Sequence, residues 1–199
     1  LGWVRDDGLV FFRWYQSQPE LIAALQVLAH NWRSDCLIHR DLKFGNWLLH
    51  YDWQSQLAQT ALNNTLQLID WEKMGWGDPI ADLAQMIAAY LELWLDSIPR
   101  AADMDWSQRL AGATVPISII QPSLKALLQS YFAVFPELLA NHGQPPDQLW
   151  QWVGRYLIHL IERDIEYHEP LDATSVGQLQ LAKQLILQPS VTATQLLIK

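Results

Sequence analysis

The sequence predicts an α+β domain, mainly α, with one small antiparallel β pair near its middle. Three observations carry this. Half of the 199 residues are hydrophobic, enough to build a substantial single core. From Gly75 onward, apolar residues recur almost wholly at helical spacing. Before that point two short segments, WLLHY and TLQLID, read as strands on either side of a polar stretch.

Taken in order, residues 9–15 (LVFFRWY) are β-branched and aromatic and are expected to be extended. Pro19 suits a first helical turn, and Leu21, Ile22, Leu25, Leu28 and Ala29 follow at helical spacing. The strand in WLLHY is followed by the polar WQSQLAQTALNN, read as a long turn ending in Asn63-Asn64, and TLQLID returns. Asp78 is placed to cap a helix that has Pro79 in its first turn and runs to about Leu95. Residues 96–122 carry Pro99, Gly112, Pro116 and Pro122 and read as a loop with one short helix at most. Further helices are expected near 123–135, from Asp147 to about Glu169, and last from Ser175 to Leu187.

Composition narrows the function classes. A net charge of -8 and a pI near 5.1 disfavour a general nucleic-acid binder, which needs a basic footprint. A lone cysteine, Cys36, excludes an internal disulfide and a cysteine metal cluster, and its apolar neighbours suggest a small buried side chain. No apolar run approaches the length of a membrane span, and Arg5, Asp6 and Asp7 do not resemble a secretory leader. A cytoplasmic location is the expectation, with neither membrane nor nucleic acid as a partner.

The chemistry concentrates in LIHRDLKFGNWLLH, residues 37–50. Phosphoryl transfer needs a group to orient the attacking hydroxyl, oxygen ligands for magnesium, and positive charge near the moving phosphate. Asp41 offers the first. Asn46 and Asp70 offer a neutral and a charged oxygen to a hard cation. Lys43 offers a point charge, and Gly45 a tight turn. Two antiparallel strands would return Asp70 to Asp41's neighbourhood. Taken singly, an Asp or Asn in a loop is more often a turn residue; the H-R-D-x-x-x-x-N pattern has more fixed positions than a turn requires and matches the kinase catalytic loop.

Together HRDLKFGN, LQLIDWE and GDPIADLA resemble the C-terminal lobe of the aminoglycoside phosphotransferase and choline kinase family, within the protein-kinase-like fold. The resemblance is good over about residues 9–95. It implies an ATP- and magnesium-dependent phosphotransferase acting on a small-molecule hydroxyl, with Asp41 catalytic and Asn46 and Asp70 as metal ligands, and Lys43 is read as catalytic from its charge. It implies loop support from His39, Arg40, Asp82 and Glu72. It divides the chain into a hinge-like segment (1–18), a catalytic core (19–95) and a helical acceptor-side subdomain (96–199).

HRDLK itself reads like a protein kinase, which keeps that alternative open. IDWE in place of D-F-G, followed so soon by GDPIADLA, leaves no room for a long activation segment and favours a small acceptor. No lysine precedes Lys43, and Gly2 and Gly8 make no phosphate-cradling loop. The chain is therefore expected to be the C-lobe portion of a longer or split kinase, inactive alone, with the N-terminal lobe missing or separately encoded. A non-catalytic, pseudokinase-like binding module is the competing reading. Glu162, Glu166 and Glu169 share one helical face and are candidates for binding a cationic acceptor, against the plainer reading of a solvated face. Trp71 and Trp76 flank the metal-ligand region and could shape an acceptor pocket.

Overall fold

A computed structural model of the chain describes residues 6–57, 65–100, 103–140, 143, 145–167 and 171–197. The fold class is the expected one, α+β and mainly helical. Helices α1 (Asp6–Gln16) and α2 (Pro19–His30) lead into strand β1 (Cys36–Ile38). Strand β2 (Trp47–Leu49), helix α3 (Trp53–Leu57), and strands β3 (Leu66–Leu68) and β4 (Gly75–Gly77) follow. The remainder is α4 (Pro79–Asp96), α5 (Trp106–Ala111), α6 (Ile117–Val134), α7 (Asp147–Glu166), α8 (Ala173–Leu187) and α9 (Pro189–Leu197).

The core is built by α4, α7 and α8. Ile80, Leu83, Ile87, Leu91 and Leu95 bury one face of α4, and Leu149, Val153, Leu157 and Ile161 bury the matching face of α7. Both sets repeat at three to four residues, so each helix presents one apolar stripe. Asp78 caps α4 as expected, its side chain accepting from the Ile80 amide. Gly154 lets α7 approach α8 closely: a Cβ there would sit 2.7 Å from the Ala182 carbonyl oxygen and 2.8 Å from Ile186 Cγ1. Gly154→Ala must push a helix backbone aside, and should destabilise the protein by about 1–3 kcal/mol in urea unfolding. Unchanged stability would show that the α7–α8 contact yields freely.

The expected pair is present, β2 with β3, in the register Trp47↔Leu68, Leu48↔Gln67 and Leu49↔Leu66. A second antiparallel pair was not foreseen: β1 with β4, Cys36↔Gly77 and Ile38↔Gly75. Gly-Trp-Gly has little strand propensity, which hid it. Its glycines serve close packing instead, because a side chain at Gly77 would overlap Ile38 and one at Gly75 would meet the Arg40 guanidinium. The two pairs are nested. Residues 39–46 leave β1 and enter β2, and residues 69–74 leave β3 and enter β4, so the two loops face each other between the ladders.

Several expectations are corrected. Residues 9–15 are helical, within α1, not extended. Gly8 and Phe11 are buried and Trp14 and Tyr15 half-buried, at helical spacing, with Phe11 and Tyr15 rings 6.0 Å apart. Packing of that face outweighs the strand preference of the residues. Helix α6 begins at Ile117, inside the expected loop, and accommodates Pro122. Ile120, Leu124, Leu128 and Phe132 bury a continuous stripe, worth more than the one backbone hydrogen bond that Pro122 removes. Helix α3 lies in the stretch read as turn, and Asn63-Asn64 lies outside the described residues. Pro189 ends α8 and also opens α9, a helix not expected. Among the described residues no helix is long and apolar enough to cross a membrane.

Candidate active site

The loop after β1 is held from inside by His39, which is buried. Its Nε2 lies 2.8 Å from the Ile69 carbonyl oxygen, and the Asp41 amide donates to its Nδ1 at 3.2 Å. Both contacts are met by one neutral tautomer, with the proton on Nε2. The Ile69 amide in turn donates to the Asn46 carbonyl at 3.0 Å. Ile69 is thus pinned to the loop at both its peptide groups, and Asp70 follows it directly.

Helix α4 holds the loop from outside. Asp82 accepts from the amides of His39 (2.7 Å) and Arg40 (3.0 Å). Gln85 accepts from the Leu42 amide at 2.7 Å and donates to the Arg40 carbonyl at 2.9 Å. The Arg40 guanidinium reaches the Trp76 carbonyl on β4. These bonds stabilise an uncommon backbone: Arg40 (φ 68°) and Asp70 (φ 67°) are the non-glycine residues with positive φ among those described. Each left-handed residue costs about 1 kcal/mol or more, and such strain often marks functional sites. Gly45 has no such role, since it lies in an ordinary 3-10 turn, Phe44–Asn46.

Around Asp41 three donors converge on one carboxylate oxygen. Lys43 Nζ is 2.9 Å from Oδ2, Lys73 Nζ 3.2 Å, and Asn46 Nδ2 3.4 Å. Asn46 also donates to the Asp41 main-chain carbonyl at 2.7 Å. Burial alone would raise the Asp41 carboxyl, but hydrogen bonds and charge from Lys43 and Lys73 outweigh it and hold it below the usual carboxylate range. Such a carboxylate is a weak base, suited to orienting a hydroxyl. Its lowered position keeps it ionised at acidities that protonate an ordinary Asp. An acid limb set by Asp41 should therefore lie below the usual range, and Lys43→Met with Lys73→Met should move it upward. A carbon-13 NMR titration of the carboxyl reads this directly; a titration unmoved in the double variant would contradict the assigned cause.

A cleft of about 320 Å³ opens beside Asp41. The loop and Lys73 form one side; Gln85 and Glu92 of α4, and Tyr156, His159, Arg163 and Glu166 of α7, form the others. Glu92 pairs with Arg163 at 3.0 Å, and burial pushes the Glu92 carboxyl upward despite that partner.

Of the residues singled out from sequence, the structure gathers His39, Arg40, Asp41, Lys43, Asn46 and Asp82 into one bonded network and places Asp70 at its edge. Glu72 is exposed in the 3-10 turn Trp71–Lys73. Trp71 and Trp76 are exposed and do not line the cleft; the Trp71 ring instead meets His39 edge-on at 4.7 Å. The three glutamates do not act as one face. Glu166 lines the cleft. Glu162 turns to Arg155 (3.1 Å) and His159 (3.5 Å), whose pull outweighs burial and lowers its carboxyl. Glu169 lies outside the described residues. Sequence reasoning missed Lys73, Gln85 and Glu92. Lys73, three residues after Asp70, had a positional signal; the other two are marked only by helical spacing from Asp82.

Magnesium often takes one or two protein oxygens together with substrate phosphates. Asn46 and Asp70 fit that pattern. Asn46 spends its amide nitrogen on Asp41, which turns the carbonyl end away, and Asp70 is an exposed carboxylate anchored through Ile69. Among the described residues no cluster of three His, Cys, Asp or Glu side chains could hold a metal on its own.

No curated protein matches the sequence. The family model described as phosphotransferase enzyme family matches residues 2–116, more than half of the chain and all of the loop network. The chain belongs to the phosphotransferase enzyme family, in keeping with its resemblance to aminoglycoside phosphotransferases and choline kinases.

Proposed function

We propose that this phosphotransferase chain carries the phosphoryl-transfer centre of an ATP- and magnesium-dependent kinase of small-molecule hydroxyls. The observation that supports it most is the convergence of Lys43, Lys73 and Asn46 on one oxygen of Asp41, at the mouth of a cleft sized for a small molecule. In this reading the acceptor hydroxyl enters from the cleft and the free oxygen of Asp41 orients it toward the phosphoryl donor. Lys43 offers positive charge to the transferred group. Asn46 and Asp70 would hold magnesium, which neutralises phosphate charge as it builds. His39, Arg40 and Asp82 keep the loop in place. ATP is preferred to GTP only by the habit of the family.

Glu166 at the cleft favours a cationic group on the acceptor, such as an amine. The cleft as a whole is not acidic, since Lys43, Lys73 and Arg163 face Asp41, Glu92 and Glu166. The preference therefore rests on one carboxylate, and Glu166→Gln should raise KM for a cationic acceptor several-fold while sparing a neutral one. Equal KM changes for both would remove the preference.

The 199 residues alone should turn over slowly. Transfer depends on positioning the donor as well as the acceptor, and before the loop the described residues form α1, α2 and β1 while the sequence has no lysine there. A nucleotide-holding lobe supplied in cis or in trans is the partner this implies. Offering a panel of hydroxylated small molecules with labelled ATP, with and without such a lobe, tests the reading. Transfer confined to protein substrates would replace it with a protein kinase, and rapid turnover by the 199 residues alone would refute the need for a lobe.

A further inference from the structure

We propose that Gln85 is a positioning residue for Asp41. The proposal rests on the reading of Asp41 as the acceptor-orienting group. Gln85 is the fifth position past the pair Pro79-Ile80 and points from α4 into the loop. Its two amide atoms take the two peptide groups that straddle Asp41: Oε1 accepts from the Leu42 amide at 2.7 Å, and Nε2 donates to the Arg40 carbonyl at 2.9 Å. A primary amide presents a donor and an acceptor side by side without charge, so one side chain bridges both peptide groups. The contact matters because Arg40 lies in the left-handed region, from which a released peptide would relax. Asp82 secures only the amides of His39 and Arg40. Within the stretch that aims the Asp41 carboxylate, Gln85 holds the two outer groups, the Arg40 carbonyl and the Leu42 amide, while the Asp41 amide donates to His39 and the Asp41 carbonyl accepts from Asn46.

Burial pushes the Tyr156 hydroxyl up to about 12, so it is neutral at any working pH. Tyr156 and Gln85 both line the cleft with Asp41. An acceptor that fills the cleft would therefore meet Gln85, the residue that fixes the loop, which links acceptor fit to Asp41's aim.

Hydrogen exchange on the purified chain tests this without relying on turnover. Gln85→Ala should lower protection of the Leu42 amide and its loop neighbours about 10-fold, the effect of one lost hydrogen bond of ordinary strength, and leave α4 and α7 unchanged. Gln85→Glu keeps the acceptor and loses the donor, so protection should return as pH falls and the new carboxyl protonates, even beside Asp82. Unchanged loop protection in Gln85→Ala, or equal loss throughout α4 and α7, would overturn the proposal. In the transfer assay Gln85→Ala should lower kcat about 10–100-fold with acceptor KM altered less than about 3-fold; a KM-only defect would also overturn it. Wild type that shows the exchange contrast but transfers no phosphate would uphold the clamp and refute the phosphotransfer reading.

Discussion

Asp41→Asn should lower turnover by about 10²–10⁴-fold, the usual range for a positioned acid–base group, while leaving nucleotide affinity nearly unchanged. The substitution keeps size and shape. It removes the charge that Lys43 and Lys73 share at 2.9 and 3.2 Å, and it replaces one carboxylate oxygen with an NH2 group that cannot accept from a hydroxyl. The loop itself should survive, because its frame is the main-chain bonding to Asp82, Gln85, His39 and Ile69, none of which uses the Asp41 carboxylate. Steady-state kinetics together with nucleotide titration check this. A large loss of nucleotide binding with normal turnover would show that Asp41 belongs to the donor side of the reaction.

Asp70→Asn should give the opposite pattern. Asp70 is the exposed carboxylate that follows Ile69, and Ile69 is bonded at both ends to the loop of residues 39–46. Loss of its charge should weaken magnesium-dependent nucleotide binding about 100-fold or more, since changes to groups merely behind a metal ligand already cost 10–100-fold. The left-handed φ of 67° is tolerated by Asn as well as Asp. The effect should therefore not come from backbone strain. Calorimetric titration of nucleotide with and without magnesium separates the two. An identical loss in the absence of magnesium would mean that Asp70 does not act through the metal.

The contrast between these residues and Gln85 shows what was legible in the sequence. His39 to Asn46 are contiguous, and their types at fixed spacing imply one loop. Asp82 was reachable because GDPIADLA is itself a local pattern. The β2–β3 pair follows from apolar alternation. The β1–β4 pair does not, because Gly75 and Gly77 are present for close packing and carry no strand preference. Gln85 and Glu92 are ordinary residues of a helix until α4 is laid against the loop and against α7. Lys73 gains meaning only when the nested ladders bring residues 69–74 opposite residues 39–46. Residues 9–15 misled for the converse reason: their strand preference is intrinsic and weak, and burial of Phe11 decided the outcome.

The most direct measurement is acceptor-dependent transfer of labelled γ-phosphate from ATP to a panel of hydroxylated small molecules, with a nucleotide-holding lobe supplied, comparing wild type with Asp41→Asn. Wild type should phosphorylate at least one member of the panel only when magnesium is present, and Asp41→Asn should bind nucleotide yet transfer almost none. Bound nucleotide with no transfer to any acceptor by wild type, or transfer undiminished by Asp41→Asn, would contradict a phosphoryl-transfer centre built on Asp41.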